Sequence, residues 1–163
     1  MVTPNFLPQS RAFEERVQAL GLVLPAALAP GANYELAVLH AGVVHLSGQL
    51  PRVGDAIAVT GAVGAQTTLE EAQRAARICA LRALAALRHT LGSLDRVERM
   101  LRLGVFVHSS PDFTRQSEVA DGASNLLYEI FGSFGGHART SVGVAQLPKN
   151  AAVEIELSVA VTV

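Results

Sequence analysis

An arginine, a hydroxyl and two carboxylates occur at alternate positions near the end of the chain, where they could bind and hydrolyse a small carboxylate-bearing molecule. Arg139 and Ser141 are separated by one residue, and so are Glu154 and Glu156. A guanidinium binds a carboxylate through parallel charge-assisted hydrogen bonds, and a nearby carboxylate can position or deprotonate a water molecule. The same side chains could instead form cross-strand ion pairs on a solvated sheet face, which contribute little to stability.

Two strands joined by a turn around residues 148–150 would position these side chains. Every odd position from Val153 to Val163 is apolar, whereas Glu154 and Glu156 occupy even positions. Such alternation predicts a strand with one buried face. We expect the strand that contains Arg139 to pair with it as an antiparallel hairpin, so that the polar faces lie together.

Two long helices are predicted upstream. The first begins at Thr68, where the hydroxyl and the carboxylate of Glu71 form a capping-box pattern, and it ends near Leu91. The second runs from residue 112 or 113 to residue 131, and Gly122 is a candidate kink within it. The remaining strands are predicted as a hairpin over residues 34–47 with its turn at residues 41–42, a short strand over 56–60 and a strand over 100–107.

Strand pairs that alternate with two long helices favour an α+β fold, in which a mixed sheet carries both helices on one face. Residues 1–33 are interpreted as an N-terminal extension with a short helix over residues 10–20 that Ser10 caps. The whole chain, residues 1–163, is interpreted as one domain. The other face of the sheet is then available to a second subunit.

Composition favours an oligomeric cytoplasmic protein. Half of the 163 residues are hydrophobic and the mean hydropathy is +0.33, which indicates that apolar surface is buried between subunits. Cys79 is the single cysteine, so a disulfide within the chain is impossible, and the N-terminal residues lack a signal-peptide pattern. Cys79 is interpreted as a core residue of the first long helix.

Several functional classes are disfavoured. The formal net charge is −1 and no basic run occurs, so nucleic-acid binding is not expected. No apolar run approaches the roughly 20 residues of a membrane span. The histidines are scattered without metal-ligand spacing, so no metal site is predicted, and residues 132–136 lack a phosphate-binding glycine pattern.

Two further places are weaker candidates for ligand binding. Ser47 and Gly48 end a predicted strand, and a glycine there lets a ligand approach the backbone, although an ordinary turn explains them equally well. Tyr34 begins a predicted strand and could either stack on a ligand or cover the core.

Three segments together resemble the Rid/YjgF family, the reactive intermediate deaminases, which also carry the label endoribonuclease L-PSP. They are VHLSGQLP at 44–51, ARTSVGVAQLPK at 138–149 and VEIE at 153–156. The resemblance covers about residues 30–163. It points to a divergent branch, because the segment from Phe113 to Arg139 is longer than in archetypal members.

The resemblance implies a chorismate-mutase-like α+β fold that assembles as a homotrimer with clefts between subunits. It also implies hydrolysis of enamines and 2-imino acids to 2-keto acids and ammonia, without a cofactor. By this resemblance Arg139 binds the substrate carboxylate and Glu154 orients the water. By the same resemblance, the pocket is completed by Tyr34, Ser47, Gly48 and Ser141.

Ser141 stands where archetypal members often have cysteine, which leaves other functions open. One alternative is a non-catalytic trimer that binds small carboxylates or other metabolites at the same clefts. Another is RNA cleavage, which the net charge of −1 and the 5% aromatic content disfavour.

Overall fold

A computed structural model describes residues 11–26, 28 and 30–162. Within them, a mixed sheet is covered by helices on one face, which confirms the predicted α+β fold. The helices are α1 (Phe13–Ala19), α2 (Leu69–Leu91) and α3 (Gln116–Phe131). The strands are β1 (Ala37–His40), β2 (Val43–Gln49), β3 (Arg52–Val53), β4 (Ala56–Ile57), β5 (Val97–His108), β6 (Ala138–Val144) and β7 (Val153–Val161). The main sheet has the order β1-β2-β7-β5-β6, and β3 pairs with β4 separately.

Helix α2 begins and ends where local chemistry predicts. The Thr68 hydroxyl accepts a hydrogen bond from the Glu71 amide at 3.2 Å, and the Glu71 carboxylate accepts one from the Thr68 amide at 2.9 Å. Gly92 ends the helix with a left-handed φ of 82°. Cys79 is fully buried on this helix, and its thiol donates to the Val153 carbonyl oxygen, so its interpretation as a core residue is confirmed.

Helix α3 differs from its prediction in two respects. It begins at Gln116, not at residue 112 or 113. The residues before it form a turn, in which the Gln116 side-chain amide donates a hydrogen bond to the Phe113 carbonyl oxygen at 2.7 Å. Gly122 lies within one continuous run of helix, where its role is close packing. A Cβ at Gly122 would overlap the backbone carbonyl of Gln73, so the glycine lets α3 pack closely against α2.

The β1–β2 hairpin is confirmed. Its turn residues Ala41 and Gly42 have φ angles of 48° and 74°, the left-handed pair typical of two-residue hairpin turns. The short strand predicted over residues 56–60 is present only as β4. Of the helix predicted over residues 10–20, α1 is present, whereas its proposed cap Ser10 lies outside the described residues.

The hairpin predicted between the strand of Arg139 and the strand of Glu154 is wrong, because β5 lies between β6 and β7. Leu103 of β5 lies opposite Arg139 in a parallel pairing and opposite Leu157 in an antiparallel one. The apolar face of β7 is buried along its whole length, which suits a central strand with a partner on each side, whereas no residue of β6 is buried. Strand β6 therefore forms the edge of the sheet.

Candidate functional site

Arg139 and Glu154 lie on opposite faces of the sheet within one chain. Arg139 is the cross-strand partner of Leu103, which is buried beneath the helices, whereas Glu154 is the partner of Phe106, three positions further along β5. Residues paired directly across two strands have their side chains on the same face of the sheet. Residues an odd number of positions apart along one strand have theirs on opposite faces. The shared polar face expected for Arg139, Ser141, Glu154 and Glu156 therefore does not form, because the intervening strand separates the two pairs.

The guanidinium of Arg139 is held against helix α3. Its Nη1 donates to Asp121 Oδ1 at 2.8 Å and to Ser124 Oγ at 2.9 Å, and its Nη2 donates to Ser117 Oγ at 3.0 Å. The side chains of Arg139 and Asp121 remain 24% and 47% exposed. The guanidinium is thus fixed in direction and still accessible from solvent.

His137 extends this network. Its Nδ1 lies 2.6 Å from the Gly135 carbonyl oxygen, which can only accept, so Nδ1 carries the proton. In the neutral ring, Nε2 then accepts from the Ser124 hydroxyl at 3.0 Å, and Ser124 Oγ keeps a lone pair for Arg139. With this tautomer, Ser124 donates to His137 and accepts from Arg139, so the hydroxyl helps to hold the guanidinium.

Glu154 forms the centre of a second polar region. The β2–β7 pairing slips between Leu46 and Gln49, and Gly48 lies in this irregular stretch. A Cβ at position 48 would overlap the Glu154 carboxylate, so the glycine makes room for it. Partial burial, and then the nearby charge of Glu156, raise the pKa of Glu154.

A cavity of about 1120 Å³ contains Glu154 and Gly48 in its wall. Tyr34 also lines it, and its hydroxyl accepts a hydrogen bond from the Gly31 amide at 3.2 Å. The wall combines the segment before β1, the end of β2, β3 with the turn after it, one side of α2 and the turn before β7. Within the described residues, no group of three or more His, Cys, Asp or Glu side chains is placed to hold a metal ion.

The six residues that the sequence nominates therefore fall into separate places. Tyr34, Gly48 and Glu154 line the cavity. Arg139 and Ser141 lie on β6, on the face towards α3. The Ser47 hydroxyl donates to the Glu35 carbonyl oxygen at 2.6 Å, which ties the segment before β1 to β2.

Sequence reasoning missed the groups that surround both regions. Ser117, Asp121 and Ser124 recur at helical spacing in α3, and this stripe of polar side chains was a usable signal. Arg52 and Arg82 both line the cavity, although they are thirty residues apart in the chain. No spacing rule joins them, since they meet only through the packing of β3 against α2.

Comparison with known proteins agrees with this architecture. The family described as "YjgF/chorismate_mutase-like, putative endoribonuclease" matches residues 14–160. "Protein TCP17" of Trypanosoma cruzi is 51% identical over 141 residues, which cover 86% of this chain and 88% of that protein.

Two solved structures are also similar. The crystal structure of Atu1372, a protein of unknown function from Agrobacterium tumefaciens, is 41% identical with a TM-score of 0.86 and 94% coverage of both chains. A "putative endoribonuclease" from Shewanella oneidensis is 32% identical with a TM-score of 0.88, covering 91% of this chain and 99% of that one. The chain therefore belongs to the Rid/YjgF family and has its chorismate-mutase-like α+β fold.

Proposed function

We propose that the protein hydrolyses small 2-imino acids and their enamine tautomers to 2-oxo acids and ammonia, without a cofactor. The observation that carries the proposal is the half-buried carboxylate of Glu154 in the wall of a large cavity, with its pKa raised by burial and by Glu156. A carboxylate tuned in this way can hold a water molecule and exchange a proton with it.

The second part of the proposal is that each site combines two copies of the chain. Arg139 and Glu154 lie on opposite faces of one sheet, so one chain does not present both to the same small molecule. Strand β6 lies at the sheet edge, where its arginine can meet the cavity of a neighbouring copy. Val38 and Val142 are 52% and 41% exposed on the face away from the helices, and a neighbour would cover them. We expect the assembly to be a homotrimer.

The residues have distinct roles in the proposed reaction. Arg139 binds the substrate carboxylate through its guanidinium and fixes the position of C2 relative to Glu154. Glu154 accepts a proton from water as the water oxygen bonds to C2, the C=N π electrons move to nitrogen, and Glu154 gives the proton to that nitrogen. The hydroxyl proton of this addition product is transferred to the nitrogen, the C–N bond breaks, and ammonia leaves as the 2-oxo acid forms. An enamine first takes a proton at C3 to become the imine.

Imine hydrolysis can be measured directly with imines that an amino-acid oxidase generates in situ, using semicarbazide as a competing trap. We expect the wild-type protein to suppress semicarbazone formation and Arg139→Ala to lose activity by about 100-fold, as for the loss of paired charge-assisted hydrogen bonds to the substrate carboxylate. Arg77→Ala is the matched control, because Arg77 also pairs with a carboxylate, that of Glu129 at 2.8 Å, but away from the cavity.

Three outcomes would contradict the proposal. Equal rates for wild type and Arg139→Ala would exclude the role of the arginine. Thermal stabilisation by 2-oxo acids without turnover would favour a non-catalytic metabolite-binding protein. RNA cleavage by the purified protein that disappears in Arg139→Ala would favour a ribonuclease instead.

A further inference from the structure

Two arginines bring positive charge to the wall of the cavity that contains Glu154. Arg52 comes from β3, directly after the SGQLP segment, and Arg82 comes from α2. Both are partly buried. Burial, and then the charge of Arg52, lower the pKa of Arg82, so the two guanidinium groups are close enough to repel each other.

Neither arginine has an acidic partner within the described part of the chain. Four other arginines form ion pairs there, namely Arg77 with Glu129, Arg88 with Glu14, Arg115 with Glu118 and Arg139 with Asp121. The cavity wall carries four Arg or Lys residues and two Asp or Glu residues, so its formal charge is positive, in contrast to the chain's net charge of −1. A positive cavity in a slightly acidic protein concentrates small anions.

Two partly buried like charges without counter-ions are costly to hold together, and an anion between them removes that cost. Arginine suits such a site, because its planar donors match the two oxygens of a carboxylate. Both arginines share the cavity with Glu154. An anionic group bound between them would therefore be part of the substrate molecule that reacts beside Glu154.

We propose that Arg52 and Arg82 bind a second carboxylate of the substrate, so that the preferred substrates are 2-imino acids with an acidic side chain. This inference rests on the proposed function, which supplies the reactive imine and the first carboxylate, the one that Arg139 binds. The anion site itself rests on the cavity and its unpaired arginines.

Equilibrium binding tests the anion site without turnover. By calorimetry, we expect wild-type protein to bind 2-oxoglutarate at least about tenfold more tightly than 2-oxobutyrate, which lacks the second carboxylate, as for a charge-assisted pair. Arg52→Gln and Arg82→Gln should remove this preference, and Arg82→Lys, which keeps the charge, should retain part of it. Arg74→Gln is the control, because Arg74 lies on the same helix outside the cavity wall. An unchanged preference in all variants would overturn the anion site.

Kinetics then test the substrate class. D-aspartate oxidase acting on D-glutamate and D-amino-acid oxidase acting on D-alanine supply imines with and without the second carboxylate. The ratio of their kcat/KM values should fall about tenfold in Arg82→Gln, mainly through KM, and should not change in Arg74→Gln.

The two proposals can fail separately. Hydrolysis of neither imine, with the binding preference intact, would contradict the proposed function and leave the anion site standing. Hydrolysis of both imines with an unchanged kcat/KM ratio in Arg82→Gln would overturn the second-carboxylate proposal and leave the proposed function standing.

Discussion

Gly48 and Glu154 share one small space in the cavity wall. A side chain at position 48 would overlap the Glu154 carboxylate, and the nearest atoms of Glu154 are at the far end of that flexible side chain. Any larger residue at position 48 therefore displaces the carboxylate and leaves the strand in place.

Gly48→Ala should separate activity from folding. The methyl group would displace the Glu154 carboxylate, so imine hydrolysis should fall by about tenfold or more, as expected when a catalytic group is moved by about 1 Å. The midpoint of thermal unfolding should change little, because the displaced group can rotate away. A large loss of thermal stability together with activity would contradict this explanation.

The double variant Gly48→Ala/Glu154→Gln provides the control. If both changes act through the same carboxylate, the double variant loses no more activity than Glu154→Gln alone. Additive losses would mean that Gly48 contributes to the site independently of Glu154.

Glu154→Gln should stabilise the fold at neutral pH. Burial and Glu156 raise the pKa of Glu154 in the folded state, so its ionised form opposes folding above that pKa. Below the unfolded-state pKa of about 4.3, both states are protonated and the penalty is absent. The free energy of unfolding, measured in urea, should therefore favour the variant near pH 7 and converge with wild type near pH 4. Glu98→Gln, at an exposed glutamate, controls for the loss of one carboxylate. A constant difference at all pH values would contradict the proposed cause.

Mixed oligomers test whether two copies build one site. Arg139→Ala and Glu154→Gln should each have little activity alone. Refolded together in equal amounts, they should recover about a quarter of wild-type activity. In a random mixture, about one interface in four joins a chain with an intact Arg139 to a chain with an intact Glu154 in the order that one site needs. Each variant refolded with itself is the control, and no recovery in the mixture would place both residues in the same chain's site.

Asp121→Asn should strengthen carboxylate binding. The Asp121 carboxylate lies 2.8 Å from Arg139 and partly neutralises it, and because the pair is solvent-accessible the effect should be modest. We expect a two- to fivefold lower Kd for 2-oxobutyrate by calorimetry, equivalent to about 1 kcal/mol or less. Glu129→Gln, which removes the partner of Arg77, should leave that Kd unchanged. Weaker binding in Asp121→Asn would mean that Asp121 mainly orients the guanidinium.

Much of the local structure could be predicted from the chain because its causes are local. Thr68 and Glu71 are three residues apart and cap α2 through their own backbone amides. The alternation of β7 and the left-handed turn at Ala41–Gly42 likewise depend on neighbours in the sequence. The start of α3 was wrong, because a side-chain contact from Gln116 to Phe113 favours a turn there.

The amino-acid sequence by itself determined the elements, the family and the identity of the polar residues, since capping, alternation and motif spacing are properties of short segments. Only the tertiary structure decided that β5 separates β6 from β7, which puts Arg139 and Glu154 on opposite faces. It also decided that Arg52 and Arg82 meet in one cavity. Strand order and cavity walls depend on which distant segments pack together, and side-chain periodicity carries information about the face of a strand but not about its partner.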